Sequence, residues 1–459
     1  MSQPTVKIEN ARYIVTMDPK RRIIADGTVV ITGSQISSVG KASELGGDIA
    51  DTVIDAAGMV VTPGFVNGHM HISYAHAVRG LFPDNLGADY LPNVFRLQAA
   101  MTPDDEYATS LLAITELLKY GTTTFVDPGT TTHLDVCIEA YHRSGCRIVV
   151  GWNVLDRPNP LNLPVYDTDE AVRMTEETVA RYHGALDGLV GAWAMPFSSE
   201  FCSPELLAAT HAIAESRATR STLHYNNGPR WIRHCAETHG CTPTEYLDRL
   251  GVLTPGMTLA HGLGIGDDEA RLIGERGAAV VMCPTAAIKG GARMTQQGLM
   301  PELLEYGAVV GLGTDAGNNS NLLETLRSVY LAAVLYKDGR GDVGIIPAET
   351  ALELGTIRGA AALGMDDIIG SIEPGKAADL VLFDTNRAEW AALHNPVNSL
   401  VYNADGRSVH TVLVNGRVVV ENHQVGFVDE ADLVADVQQK GDALIKRAAV
   451  KFDSPWPVV

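Results

Sequence analysis

The 459-residue sequence lacks the features that mark several common protein classes. It has no run of 18 or more apolar residues and no basic-then-apolar N-terminal segment, so we expect no membrane span, no signal peptide and a cytoplasmic location. Its six cysteines are scattered without a CxxC pair, which argues against a disulfide framework and indicates reduced thiols. A net charge of −20 argues against nucleic-acid or anionic-membrane partners and leaves a small molecule as the expected ligand.

The two ends of the chain and its middle have different sequence patterns. Short strand patterns at both ends predict a composite β-sandwich domain built from residues 1–58 and 366–459, with a C-terminal helical tail. Residues 59–365 instead repeat a short β-branched run, a loop and an amphipathic stretch. Eight such units predict an α/β fold of the (β/α)8 TIM-barrel type. A doubly wound sheet is the alternative, but no GxGxxG opens a helix after the first strand.

The predicted barrel elements can be placed on the sequence. The strands are expected at Val60–Val66, Thr122–Asp127, Arg147–Val154, Leu189–Met195, Ser221–Tyr225, Thr258–His261, Ala279–Cys283 and Val309–Thr314. Helices are expected at Asp104–Tyr120, Asp169–His183, Pro204–Arg217, Asp267–Arg276 and Leu322–Leu335.

Polar side chains follow several of these strands at their carboxyl ends, where the loops of a TIM barrel build the active site. They are His69, His71, His224, His261 and Asp315. His69 and His71, spaced by one residue, point to the same side if the strand continues through them. Imidazoles and a carboxylate without cysteine suit a catalytic divalent ion, with zinc first and iron, manganese or cobalt as alternatives.

Such an ion would lower the pKa of a bound water to about 7, and Asp315 is the natural group to take that proton and deliver it to a leaving group. In the loop that follows, His76 and Arg79 could reach a substrate, although solvation of an ordinary loop explains them equally well. The cysteines show no nucleophile paired with a base.

The chain resembles the amidohydrolase superfamily, in its branch of triazine hydrolases, cytosine and guanine deaminases and chlorohydrolase-like enzymes. The resemblance rests on five stretches that run almost from end to end: Thr62–His71, Tyr120–Thr124, Leu259–Gly262, Gly311–Asp315 and Gly370–Leu380. It implies a barrel with a β-sandwich and a homo-oligomer.

The resemblance also implies one metal per chain, held by His69, His71, His224 and Asp315. In that pattern His261 contacts or orients the metal-bound water and Asp315 shuttles the proton. No lysine lies in Leu189–Met195, so the carbamylated lysine of binuclear relatives is not expected.

Three positions depart from this branch. Its deaminases carry a glutamate three residues after the fifth-strand histidine, where this chain has Asn227, and an amide cannot replace a carboxylic acid as proton donor. Phe197 stands where a histidine is common, and Cys283–Ala287 lacks the usual Ser-Asn pair.

These departures favour a mononuclear metal-dependent amidohydrolase that cleaves the carbonyl C–N (or C–S) bond of a small amide, urea or carbamate, as in the similar phenylurea and thiocarbamate hydrolases. Asn227, Arg79 and Phe197 are then the candidate substrate contacts. The alternative is an aminohydrolase of a purine, pyrimidine or triazine ring, with Glu200 or water replacing the missing acid. A catalytically inactive binding or scaffold protein is the third hypothesis, and it predicts no stoichiometric metal.

Overall fold

The computed structural model of the protein describes residues 3–45, 47, 49–225, 229–452 and 456. Numbered in chain order, the strands are β1 (Thr5–Val15), β2 (Ile23–Thr32), β3 (Gln35–Lys41), β4 (Thr52–Asp55), β5 (Met59–Pro63), β6 (Phe65–Asn67), β7 (Thr122–Val126), β8 (Arg147–Val150), β9 (Asn153–Val154), β10 (Val190–Ala192), β11 (Met195–Pro196), β12 (Ser221–Tyr225), β13 (Met257–His261), β14 (Ala279–Met282), β15 (Val309–Leu312), β16 (Leu380–Asp384), β17 (Val409–Val414), β18 (Arg417–Glu421) and β19 (Gln424–Val425).

The α-helices are α1 (Ala42–Leu45), α2 (Tyr90–Ala99), α3 (Pro103–Lys119), α4 (Leu134–Ser144), α5 (Thr168–Tyr182), α6 (Pro204–Ser216), α7 (Pro229–His239), α8 (Pro243–Arg249), α9 (Asp267–Arg276), α10 (Pro284–Lys289), α11 (Met294–Gln297), α12 (Met300–Glu305), α13 (Thr325–Arg340), α14 (Ala348–Leu354), α15 (Ile357–Ala362), α16 (Pro396–Tyr402) and α17 (Glu430–Arg447). Helices α3, α5, α6 and α17 begin at residues whose side chains accept from a backbone amide of the first turn. For α3, the Thr102 side chain accepts from the Asp105 amide while the Asp105 side chain accepts from the Thr102 amide.

Strands from both ends of the chain come together as predicted, but where the sequence predicts a β-sandwich they form one sheet. Its order is β19-β18-β17-β16-β5-β1-β2-β3, with β4 beside β1. The antiparallel pairing of β16 with β5 joins the C-terminal strands to the N-terminal ones. Alternate side chains of these strands, among them Ile8, Ile31, Val61 and Leu382, are buried in a core of their own.

The middle of the chain forms the predicted (β/α)8 barrel. Its eight strand positions, within the described residues, are β6, β7, β8, β10, β12, β13, β14 and β15, while β9 and β11 continue β8 and β10 after a break. The strands pair in parallel, a bridge between Ala194 and Ser221 links the fourth position to the fifth, and the amide of Gly68 donates to Leu312 O at 2.8 Å where the ring closes. All carboxyl ends therefore meet at one face of the barrel.

One predicted strand is divided in the structure. Residues 59–63 pair in the terminal sheet as β5, and only residues 65–67 enter the barrel as β6, so the change of sheet falls at Gly64 rather than between residues 58 and 59. The Gly64 amide donates to Asp379 O in one sheet and the Phe65 amide to Gly121 O in the other. A side chain on residue 64 would overlap Thr123, which explains the glycine.

The predicted C-terminal helical tail is present as one long helix. Helix α17 packs against α3 of the barrel, where Lys119 Nζ lies 2.6 Å from Glu430 Oε2 and Lys440 Nζ lies 2.9 Å from Asp104 Oδ2. Among the residues that the structure describes, no helix combines the length and apolar content that crossing a membrane requires.

Candidate metal centre

Four imidazoles and one carboxylate from four strand ends come together at the carboxyl face of the barrel. His69 and His71 follow β6, His224 lies in β12, His261 ends β13 and Asp315 follows β15. The backbones of His261 (φ 80°) and Asp315 (φ 63°) both adopt the left-handed conformation, which is unfavourable for a residue that has a Cβ. The Asp315 amide donates to His69 O at 2.9 Å, and this bond fixes the loop after β15 to the loop after β6.

The ligand atoms of these residues lie close together in two overlapping groups. His71 Nε2 lies 3.3 Å from Asp315 Oδ1 and 3.5 Å from His224 Nε2. The His69 ring lies centrally, with its centroid 5.1, 5.0 and 4.8 Å from those of His71, His224 and His261. In two overlapping triplets, one of His69, His224 and His261 and one of His69, His71 and Asp315, all ligand atoms lie within 4.8 Å of one another.

The protonation states of the cluster fit a divalent cation. Burial, together with the neighbouring imidazoles, holds the pKa of His69 well below its ordinary value and lowers that of His224 to about 3, so both rings are neutral. Burial would raise the pKa of Asp315, but the neighbouring imidazoles of His71 and His261 hold it well below its usual range. Neutral imidazoles and an ionised carboxylate are the forms that ligate metals.

One buried atom of the cluster has no partner among the described residues. His69 Nε2 is inaccessible to solvent and makes no hydrogen bond, although buried polar atoms are nearly always satisfied. A divalent ion in the centre of the cluster would occupy this lone pair. The residues present therefore fit a metal.

Outer hydrogen bonds orient two of the rings. His71 Nδ1 lies 3.1 Å from Thr130 Oγ1, and the Thr130 hydroxyl in turn donates to Asp127 Oδ1 at 2.9 Å. Since that hydroxyl donates to Asp127, it accepts from His71 Nδ1–H, which leaves His71 Nε2 unprotonated and directed inward. His224 Nδ1 likewise donates to Phe197 O at 3.1 Å.

Asp127 and Thr130 were absent from the sequence-based candidates. Asp127 follows the last residue of β7, so it is a polar residue at the carboxyl end of a barrel strand, as the candidate histidines are. Its contact with Thr130 depends on the path of the loop after β7, which the residue pattern does not specify.

Asp315 has further partners on its own loop. Its Oδ1 accepts from the Ala316 amide at 2.6 Å and its Oδ2 from Asn319 Nδ2 at 3.0 Å. Asn319 Oδ1 accepts in turn from the Tyr90 hydroxyl. The carboxylate is thus held in one orientation while its Oδ1 faces His71.

The three residues predicted to contact substrate have different outcomes. Arg79 Nη1 lies 2.7 Å from Glu116 Oε2 and 3.1 Å from Asn321 O, so its guanidinium ties the loop after β6 to α3 and is not gathered into the metal cluster. His76 contacts the same carboxylate, with its Nε2 3.0 Å from Glu116 Oε2. Both contacts of Arg79 are made by Nη1, and the substrate contact predicted for Arg79 stays a prediction. Asn227 lies outside the described residues.

Phe197 is next to the cluster. Its ring stacks on His224 with centroids 4.8 Å apart, and both residues line one cavity of about 220 Å³. The other residues of this aromatic cavity are Leu91, Pro160, Leu161, Ser198, Glu200, Phe201, Arg230 and Trp231.

A (β/α)8 barrel with imidazoles and a carboxylate at its catalytic face defines a metal-assisted hydrolase. The sequence profile of the amidohydrolase family matches residues 60–419. The chain is 32% identical over 414 residues to a 5-methylthioadenosine/S-adenosylhomocysteine deaminase of Syntrophobacter fumaroxidans, covering 90% of this chain and 92% of the relative. It is 31% identical to a 5'-deoxyadenosine deaminase of Methanosarcina barkeri, and the match covers 96% of this chain and 98% of that relative. The chain belongs to the amidohydrolase family.

Solved structures agree with this assignment. A zinc-bound adenosine deaminase from Xanthomonas campestris superposes with a TM-score of 0.86 at 26% identity, over 97% of this chain and all of that one. A triazine hydrolase variant superposes with a TM-score of 0.87 at 25% identity, over 96% of this chain and 100% of that one. The protein is a hydrolase that acts on carbon–nitrogen bonds, and its family and zinc-bound neighbour support a divalent metal.

Proposed function

We propose that the protein is a mononuclear aminohydrolase that replaces the 6-amino group of a purine nucleoside by oxygen, releasing ammonia. The observation that carries this proposal is the convergence of His69, His71, His224, His261 and Asp315 beside a cavity whose nearest wall is an aromatic ring. The relatives named for deamination of adenosine-type nucleosides over more than nine-tenths of their length support the substrate class.

In this proposal His69, His71, His224 and Asp315 hold one divalent ion per chain, most simply zinc. The ion would supply the Lewis acidity that makes a water nucleophilic at neutral pH. His261, beside His69, orients that water. Asp315 is ionised, so it accepts a proton from the attacking water and returns it to the departing amine.

Phe197 provides the platform for the ring. A planar heterocycle stacked on Phe197 would lie beside His224, with its reacting carbon towards the cluster. The comparisons favour the aminohydrolase over the carbonyl C–N or C–S hydrolase that the sequence suggested first.

One sequence feature favours the second candidate, hydrolysis of a urea, carbamate or thiocarbamate. Asn227 stands where deaminases of this branch have an acid, and a metal can polarise a carbonyl without ring protonation. The two candidates differ in product, since one releases ammonia and the other releases a substituted amine or thiol.

A substrate panel distinguishes them. Protein stripped of metal and reloaded with zinc is incubated with adenosine, 5'-deoxyadenosine, 5'-methylthioadenosine, cytosine, a triazine, a phenylurea and a thiocarbamate. We expect ammonia from the purine nucleosides, with Asp315→Asn as the inactive control. Amine or thiol release from the phenylurea or thiocarbamate, without ammonia from any nucleoside, would refute the proposal. Zinc binding without turnover of any compound would instead support an inactive homologue.

A further inference from the structure

The first and eighth barrel strands meet at a seam without regular strand pairing. Within the part of the chain that the structure describes, β6 stands at the edge of one four-stranded sheet and β15 at the edge of another. Backbone bonds cross the seam from both sides. The Gly68 amide donates to Leu312 O at 2.8 Å, and the amides of Thr314 and Asp315 donate to His69 O at 3.2 and 2.9 Å. Two candidate metal ligands, His69 and Asp315, therefore lie on opposite sides of the seam.

The side chain of Asn67 bridges this seam. Its Nδ2 donates to Thr314 Oγ1 at 2.8 Å, and its Oδ1 accepts from the Thr314 amide at 3.1 Å. The same Oδ1 accepts a longer bond, of 3.4 Å, from the His69 amide, while the Thr314 hydroxyl donates to Asp315 O at 3.2 Å. One amide group is thus linked to the backbone of His69 on its own side and, through Thr314, to that of Asp315 on the other.

These hydrogen bonds need an amide at position 67. An asparagine side chain both donates and accepts, whereas an ionised aspartate only accepts and an apolar side chain does neither. Asn67 and Thr314 are fully buried, so a group that lost its partner here would be left unsatisfied. The two sides of the seam are also in close contact, since a Cβ on Gly313 would lie 2.7 Å from His69 O.

We propose that Asn67 is a positioning residue for the metal centre, which fixes the backbone of His69 relative to that of Asp315. The proposal rests on the ligand set of the proposed function and does not depend on its substrate. The ligand atoms of His69, His71 and Asp315 lie within 4.8 Å of one another, and their spacing depends on how the two sides of the seam are aligned. Asn67 acts through the backbone of these ligands.

Metal binding by folded variants tests the proposal. We titrate Zn²⁺ into metal-free wild type, Asn67→Leu, Thr314→Val and Thr314→Ser, and record the visible spectrum of each Co²⁺-loaded protein, which reports coordination geometry. Asn67→Leu should weaken zinc binding by about 10–100-fold, the usual loss when a group that orients ligands is removed, and should change the cobalt spectrum. Thr314→Val should weaken zinc binding less, because Asn67 Oδ1 keeps the Thr314 amide as donor. Thr314→Ser keeps the hydroxyl and should bind zinc like wild type.

Thr122→Val is the matched control. Thr122 begins β7, its Oγ1 lies 2.8 Å from Thr325 Oγ1, and both residues are fully buried. The variant also removes a buried hydrogen bond from a barrel strand, but that bond involves no candidate ligand. It should lower the urea midpoint of the metal-free protein much as Thr314→Val does, and leave the zinc affinity and the cobalt spectrum unchanged.

The remaining outcomes each decide the proposal. Unchanged zinc affinity and cobalt spectrum in folded Asn67→Leu and Thr314→Val would overturn it, since Asn67 would then support the barrel alone. Equal weakening of zinc binding in Thr122→Val would do the same. If Asn67→Leu does not fold, equal zinc affinity in Thr314→Val and Thr314→Ser would contradict the proposal.

Failure of the proposed function can be told apart from failure of this proposal. If the wild type binds no zinc, the ligand set is wrong and both fail. If the wild type binds zinc but deaminates no nucleoside, only the proposed reaction fails, and the zinc affinities of the variants still test the role of Asn67.

Discussion

His71 and Thr130 are joined through a contact of 3.1 Å between Nδ1 and Oγ1, on the side of the imidazole away from Asp315. Because Thr130 donates to Asp127, this contact sets the tautomer of His71 and directs Nε2 to the cluster. Thr130→Val should therefore weaken metal binding by about 10–100-fold, the usual effect of losing such an orienting group. Isothermal titration of zinc into metal-free protein measures it.

Thr131 provides a matched control for that prediction. Its hydroxyl donates to the other oxygen of Asp127, at 2.6 Å, and it has no hydrogen bond to His71. Thr131→Val should leave zinc affinity nearly unchanged. Equal weakening in both variants would show that Asp127 supports the loop and that Thr130 does not orient His71.

Glu116 should make the stability of the metal-free protein depend on acid pH. Burial would raise its pKa, but His76, Arg79 and the Leu323 amide lower it from 4.5 to about 2. The lowered pKa contributes stability that is complete above pH 4.5 and is lost as the pH falls from 4.5 to 2, at most about 3 kcal/mol.

Urea unfolding of wild type and Glu116→Gln checks this expectation. The stability difference should be largest at pH 7 and should shrink between pH 4.5 and pH 3. Glu177→Gln, which changes a glutamate that is 72% exposed, should be nearly neutral throughout. A Glu116→Gln difference that stays constant over this range would contradict the lowered pKa.

Phe197 should contribute to binding of the purine more than to the chemical step. Phe197→Leu keeps an apolar side chain but removes the stacking surface, and we expect KM for adenosine to rise by about 2–10-fold with little change in kcat. Phe95→Leu is the control, since Phe95 contacts Phe197 at a ring-centroid distance of 6.3 Å without lining the aromatic cavity. A fall in kcat alone would indicate that Phe197 acts by positioning His224.

Asn227→Glu should restore the acid that deaminases of this branch carry, and so raise kcat for adenosine. This prediction rests on the sequence alone, because Asn227 lies outside the described residues. Asn226→Glu places the same charge one residue away and should give no gain. If neither variant is faster, ring protonation has another source in this chain.

The barrel and the metal-ligand cluster could be predicted because short stretches of sequence are enough to show strand periodicity and where each strand ends. The strand at Ser221–Tyr225 and the helix at Asp267–Arg276 coincide with β12 and α9. His69, His71, His224, His261 and Asp315 were found together since parallel strands bring their carboxyl ends to one face.

Other features depended on tertiary contacts. The division of Val60–Val66 at Gly64 reflects pairing with β16, which lies more than 300 residues later. The ion pair between Arg79 and Glu116 joins a loop to a helix, so the loop sequence alone does not predict it.

In the proposed function, one metal ion held by His69, His71, His224 and Asp315 drives removal of the 6-amino group of a purine nucleoside. The most direct measurement titrates zinc into metal-free protein and follows ammonia release from adenosine at each loading. We expect ammonia and inosine to form in equal amounts, at a rate that rises with zinc and saturates near one ion per chain. No ammonia at any loading, or a rate independent of zinc, would contradict it.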